Sequence, residues 1–388
     1  MLFSKKIVPR VSLIPPLLLL SLLLGVSGCN RLKAKPKEMV YVAARRAYLR
    51  DRVAAVSNRT AEVVNAEPLE VLEHGRRFLR VRTPRNETGW IEQHMVIDQK
   101  DYDGFEQLAQ QHKDDPEAAT ATLNDDLYMH IAPGRGTDRF YLVPGSTKVK
   151  LLLRGSAPKS GQAAPAPLAK LALPTAKPTQ KKGGEATAPM AKTEAPPAVE
   201  DWWLVRDAQG HTGWMLSSRL YVNVPDAIAE YGEGQDFVGA WPIATINDPE
   251  SDAPNHQVPE YLTVMAPSRS GLPFDFDQVR VFTWSRIHHR YETGFRLHPI
   301  EGFLPVKIFT AQTPAGTVPA FSFLLGSNSK VKVDPDTGVV RPVNPRTLEY
   351  EVIDTQVKRI GADTAPISTR HEENNKAAPS KKSLKKRR

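Results

Sequence analysis

Apolar positions in this chain gather in short β-rich runs separated by turn residues, and the sharpest case is 201–222, DWWLVRDAQGHTGWMLSSRLYV. Trp202, Trp203, Leu204 and Val205 form one run, Asp207 to Gly210 supplies turn chemistry, and Thr212 to Leu216 returns as a partner strand. The same order occurs earlier, in 78–96 (FLRVRTPRNETGWIEQHMV). Each copy has a Val-Arg pair (Val81-Arg82, Val205-Arg206), a polar turn, and then Thr-Gly-Trp at 88–90 and 212–214. A glycine inside a strand marks close approach of another backbone, and the tryptophan after it can cover a large apolar area. Gly89, Trp90, Gly213 and Trp214 are therefore expected in two cores, the tryptophans buried or half-buried. Two such cassettes make an internal repeat.

Strand runs continue to the end of a C-terminal region, 223–363, at 236–246, 260–265, 278–285 with 291–297, 302–310, 319–325 and 348–357. Val279 to Trp284 and Tyr291 to Leu297 alternate and read as a hairpin across 286–290, and Asp334-Pro-Asp-Thr-Gly338 is a further turn signal. Helical spacing occurs at 101–114, where Phe105, Leu108 and Ala109 share a face and Asp115-Pro116 stops the run. The pattern predicts an all-β chain with one short helix, its C-terminal region an antiparallel sheet or small barrel.

The two cassettes resemble the C-terminal half of a bacterial SH3 domain, whose pattern ends in a strand, a polar turn and Gly-Trp. The N-terminal halves agree. Ala47-Tyr48-Leu49-Arg50 stands at the family's opening motif and is followed by Leu69 to Leu72; in the second copy Leu127 to His130 precedes Ala132-Pro-Gly134 and Gly145 to Leu152. The resemblance covers roughly 40–98 and 122–222. It implies two small SH3-like barrels, modules 39–98 and 122–222, with a helical connector 99–121 between them. By position in the family pattern Tyr48, Tyr128 and Trp202 would line a ligand groove. Some members of the family bind peptidoglycan peptides through such aromatics, and others mediate packing.

The second module is interrupted. Residues 155–200 hold eight prolines and twelve alanines, a composition that builds no core and is expected to stay extended and disordered. No two of those prolines are three apart, so polyproline self-docking is not expected.

The N-terminus places the chain. Lys5, Lys6 and Arg10 precede an apolar run, 11–26, that is broken by Pro15-Pro16 and short for a membrane-spanning helix of about 20 residues. It ends Val26-Ser27-Gly28-Cys29, small residues before a cysteine, which looks like a lipoprotein cleavage site. Residues 1–28 then read as a signal peptide, Cys29 as the lipidated first residue and 29–38 as a tether; an uncleaved anchor is the other reading. Asn30 in second place resembles outer-membrane sorting, with the body facing the periplasm.

Cys29 is also the only cysteine, so no disulfide forms within the chain and no thiol nucleophile follows the anchor. The net charge of +9 is unevenly placed. Without the three cations of 1–28 and the seven of 376–388, residues 29–375 sum to −1. The basicity belongs to a disordered tail, 364–388, that is either merely solvated or drawn to an anionic surface. Nucleic acid is not an expected partner.

Chemistry is sparse. His288 and His289 are adjacent and would point to opposite faces of a strand, His298 has no ligand spacing, and Asp275 with Asp277 reads as turn capping or a salt bridge with Arg280. Catalytic motifs are absent, and neither a metal nor another cofactor is expected. The sequence is thus read as an envelope lipoprotein, anchored in the lipid bilayer through Cys29, that is not an enzyme. Its tandem modules would bind peptidoglycan or another envelope component. A scaffold for envelope proteins and an activity housed in 223–363 are the alternatives.

Overall fold

A computed structural model of the chain describes residues 37–54, 56–159, 198–313, 316–326 and 330–367. Cys29, the signal segment, most of the 155–200 insertion and residues 368–388 of the tail lie outside the described residues. The tail's first residues, expected to be disordered, are held by Arg346 and Arg359, which donate to the Ala365 carbonyl. The described fold is all-β, in antiparallel sheets.

The first module contains β1 (Met39–Val42), β2 (Arg46–Arg50), β3 (Arg59–Val64), β4 (Pro68–His74), β5 (Phe78–Arg82), β6 (Thr88–Glu92) and β7 (Val96–Asp98). They form one seven-stranded sheet in the order β3-β2-β6-β5-β4-β1-β7. Alternate residues of β1 to β6 (Val40, Val42, Ala47, Leu49, Val63, Leu69, Leu79, Val81 and Ile91) meet in a single buried cluster. Six strands can share so small a core only if the sheet coils round it.

The second module repeats this. β8 (Ala119–Leu123), β9 (Leu127–His130), β10 (Arg139–Val143), β11 (Lys148–Pro158), β12 (Val199–Arg206), β13 (Thr212–Leu216) and β14 (Leu220–Val222) run in the order β10-β9-β13-β12-β11-β8-β14. Strand for strand, the order is that of the first sheet. The module starts at Ala119 rather than near 122, because Ala119 to Thr122 already pair with Lys148 to Leu151.

One expectation is corrected at the insertion. Residues 155–158 are not part of a loose segment. Gly155 pairs with Trp202, Ser156 with Asp201, Ala157 with Glu200 and Pro158 with Val199, and the Lys159 N–H donates to the Ala198 carbonyl at 2.8 Å. Composition hid this ladder because its hydrogen bonds are main-chain and its partners are distant in sequence.

The connecting helix α1 spans Gln99–Gln111, shorter than expected at its end, and Asp98 caps it by accepting from the Asp101 N–H at 2.9 Å. Phe105 is fully buried. Tyr41 of the first module stacks on Tyr102 of the helix (centroids 3.8 Å apart), and both rings meet the edge of Phe140 from the second. Asn65 completes the junction: its amide donates to Phe140 O and accepts from Leu142 N, each at 2.9 Å.

Beyond residue 223 lie two four-stranded sheets and a small hairpin. β15 (Gln235–Asn247), β16 (Gln257–Pro267), β17 (Gln278–Ser285) and β18 (Arg290–Leu297) form one sheet; β19 (Gly302–Thr313), β20 (Gly316–Leu325), β23 (Arg346–Ile353) and β24 (Gln356–Ile360) form the other. β21 (Val331–Val333) and β22 (Val340–Pro342) make the hairpin. The expected strand 348–357 is two, reversed at Asp354 with φ 52°. Both sheets contribute to one buried cluster with the helix and the second module, whereas the first module keeps its own. No helix among the described residues is long and apolar enough to cross a membrane.

Candidate functional site

The two Thr-Gly-Trp segments do the same mechanical job. A Cβ on Gly89 would lie 2.6 Å from Thr60 Oγ1 and 2.7 Å from Leu49 Cβ; one on Gly213 would lie 2.5 Å from Met129 Cβ. In each module the glycine lets the hairpin β5–β6 or β12–β13 close onto β2 or β9, and the next residue pairs across that seam, Trp90 with Arg50 and Trp214 with His130. Trp214 is fully buried and Trp90 half-buried.

The repeat extends to residues that composition did not single out. Tyr48, Arg50, Arg59 and Val63 recur at one constant offset as Tyr128, His130, Arg139 and Val143. Arg59 stands opposite Arg50 in the ladder and Arg139 opposite His130, each beside a break in register. Both arginines reach back over the tyrosine: Arg59 Cζ lies 4.0 Å from the Tyr48 ring centroid, and Arg139 Cζ lies 4.9 Å from that of Tyr128. Both tyrosines are half-buried and both arginines exposed. Sequence reasoning found the tyrosines and missed the arginines; the repeat offset was the signal that could have found them.

Tyr128 and Arg139 also line a cleft of about 540 Å³ where the modules meet. Ala43, Ala44, Arg45 and 94–97 come from the first module, Thr137 and Asp138 from the second. Arg45 pairs with Asp126 of the second module at 2.5 Å, an exposed contact of small energetic weight. Behind the cleft, burial holds the His130 imidazole below its ordinary pKa, and its Nδ1 lies 3.0 Å from Thr137 Oγ1.

Trp202 is corrected. It is 2% exposed, packed with Leu152, Leu204 and Trp214 with its ring edge toward His130, and lines no groove. Its neighbour Trp203 points to the opposite face and is buried in the larger cluster. Tyr48, Tyr128 and Trp202 are thus not one site: two are equivalent surface platforms and the third is core.

A second cleft, of about 840 Å³, lies between the second module and the C-terminal sheets, with Trp203, Val238 and Ala266 in its floor and Tyr221 and Arg269 on its rim. Beneath it Arg154 ties the parts together, donating to the Phe274 carbonyl at 2.9 Å and pairing with Asp201, which accepts from Gly271 N at 3.0 Å.

Asp275 and Asp277, read as turn caps or as partners of Arg280, have separate partners. Asp275 accepts from Leu304 N at 2.9 Å, and desolvation pushes its carboxyl up to about 6 against the pull of that bond and of Arg154 and Arg341. Asp277 instead accepts from Gln235 at 3.0 Å. Arg280, the expected partner of this pair, is taken by Glu233 at 3.0 Å. His288 pairs with Glu292, while His289 lies 3.2 Å from both Asp248 and Glu250. Among the described residues no cluster of three or more His, Cys, Asp and Glu side chains is placed to hold a metal ion.

No protein-family model and no curated protein matches the chain. Solved structures that align with it include NlpC2 from Trichomonas vaginalis (8% identity, 86% of this chain and 96% of that one, TM-score 0.15) and an NlpC/P60 family protein from Bacillus cereus ATCC 10987 (10%, 79% and 94%, TM-score 0.21). A third is NlpC1 from Trichomonas vaginalis (9%, 81% and 92%, TM-score 0.15). The expectation that the chain is not an enzyme is corrected here, since the solved structures that align with it are of NlpC and NlpC/P60 proteins. The single cysteine had excluded only thiol nucleophiles, which is narrower than excluding catalysis. At these TM-scores the superpositions carry no argument for any particular activity.

Proposed function

We propose that the chain is a lipid-anchored protein of the bacterial cell envelope whose two SH3-like modules bind peptidoglycan or another envelope polymer. The observation that carries the reading is the recurrence of one aromatic platform, Tyr48 and Tyr128, at the same register position of two sheets of identical strand order. A repeated platform suits a repetitive ligand, because a second contact on one polymer is intramolecular and multiplies retention without new chemistry. The cleft beside Tyr128 adds enclosed surface at the junction. In this reading Cys29 holds the protein at the outer membrane, the modules face the periplasm, and the 376–388 tail adds attraction to anionic surfaces.

Co-sedimentation of the full chain with purified sacculi at low salt tests the reading. Retention of the wild type, with at least tenfold weaker retention of the Tyr48→Ala/Tyr128→Ala double variant, is expected. A wild type that stays in the supernatant overturns it.

A second reading, recognition of an envelope protein, is favoured by the larger cleft, whose rim Tyr221 is 63% exposed above a buried apolar floor. Cross-linking in cells from position 221 would support it by returning one reproducible protein adduct, and adducts scattered over many proteins would count against it.

A further inference from the structure

The two Arg-on-Tyr stacks ask for an explanation beyond packing. Arg59 and Arg139 are exposed, and among the described residues no carboxylate pairs with either. An exposed guanidinium usually samples many rotamers, whereas one held over a tyrosine ring is restricted in its choice. A guanidinium matches a carboxylate, two parallel N–H donors to two oxygens, and holding it over the ring lowers the entropy lost when the pair forms. The copies have diverged around the stacks: Leu49 is replaced by Met129, Arg50 by His130 and Glu62 by Leu142. The Tyr–Arg pair, like Val63 and Val143, is kept at matched register, and in both copies a break in the ladder lies beside it.

We propose that the Arg59–Tyr48 and Arg139–Tyr128 stacks are a duplicated receptor for carboxylate groups on one polymeric ligand. The tyrosine ring backs the guanidinium, and the guanidinium takes the two oxygens of the carboxylate. The stacked guanidinium, with two parallel N–H donors, suits a group with two oxygens in a plane. At the second stack the neighbouring Asp138 disfavours more highly charged groups, whereas Glu62 beside the first is taken by Arg46 at 2.9 Å. This assigns the ligand chemistry of the modules and rests on the envelope-polymer reading above.

The test uses the full chain and three preparations of sacculi: untreated, carboxyl-amidated with carbodiimide and ammonia, and stripped of phosphodiester polymers with hydrofluoric acid. Amidation is expected to lower retention at least tenfold and stripping to leave it unchanged. Arg59→Lys and Arg139→Lys keep the charge and lose the fork; each should weaken retention about fivefold, as expected for one exposed charge contact, and the double variant more than tenfold. Arg286→Lys, exposed in the turn between β17 and β18 and on no tyrosine, should match the wild type. Undiminished retention by amidated sacculi, loss on stripping, or a double variant equal to the wild type would overturn the assignment. A synthetic tetrapeptide with a free C-terminal carboxylate, compared with its amide, separates the two levels of the argument. NMR shifts at Tyr48 and Tyr128 with the acid alone keep the carboxylate assignment even if sacculi are not retained, and equal shifts with both peptides sink it.

Discussion

At Gly89 and Gly213 the chain has no room for a methyl group, and this is where the two modules are most sensitive to change. Gly89→Ala and Gly213→Ala should each lower stability by about 1–3 kcal/mol, the ordinary cost of overpacking, read from urea midpoints at constant m-value. Trp214→Ala should cost about 3–5 kcal/mol, and Trp90→Ala less, since that side chain is only partly buried. These four residues were legible because a strand glycine followed by a tryptophan has a local physical meaning. Trp202 was misread for an equally physical reason. Adjacent tryptophans in a strand take opposite faces, and a lone barrel would leave one of them outside. Here Trp203 joins the cluster shared with the C-terminal sheets, and Leu152, Ala157, Trp214 and Val339 cover Trp202, so both are buried. The Arg59 and Arg139 platforms were invisible for want of any local signal, since an arginine in a polar strand is unremarkable until its register is known.

The β11–β12 hairpin shows at the element scale what composition conceals. Its outer four pairs clamp the insertion at its base, so the closure cost of whatever lies between 159 and 198 is met inside folded structure. Replacing 160–197 by a two-residue Asn-Gly turn should leave the thermal midpoint within a few degrees of the wild type, whereas also removing 155–158 and 199–202 should lower it markedly. The C-terminal strands were largely read correctly, with edges two or three residues short, because edge residues lack the alternation that marks a strand centre. Asp275 lies at the seam between these elements. Its carboxyl titrates near 6 in the fold against an ordinary 3.8, so the native state binds more protons and stability must fall as pH rises through that window. Asp275→Asn should abolish the slope between about pH 4 and 6 and exceed the wild type in stability at pH 7, as pH-dependent denaturation will reveal.

The whole molecule divides its buried surface unequally. The second module shares a core with the helix and the C-terminal sheets, and the first stands on its own cluster, joined through Tyr41, Asn65 and the Arg45–Asp126 pair. Asn65→Ala leaves Phe140 O and Leu142 N without their side-chain partners, so amide exchange at Leu142 should quicken by at least tenfold while exchange in β16 and β17 stays unchanged. In the proposed reading, two modules set at a constrained junction, each bearing the same stack, would act as a bivalent surface rather than two independent ones. The most direct test of that surface is photo-cross-linking in living cells, with a photoreactive phenylalanine placed at 48, at 128 or, as a control, at 287, where Ile287 is 85% exposed on the C-terminal sheets. Adducts that digest to glycan-linked peptide at 48 and 128 and not at 287 are predicted; equal labelling at all three positions, or none at 48 and 128, would contradict the account.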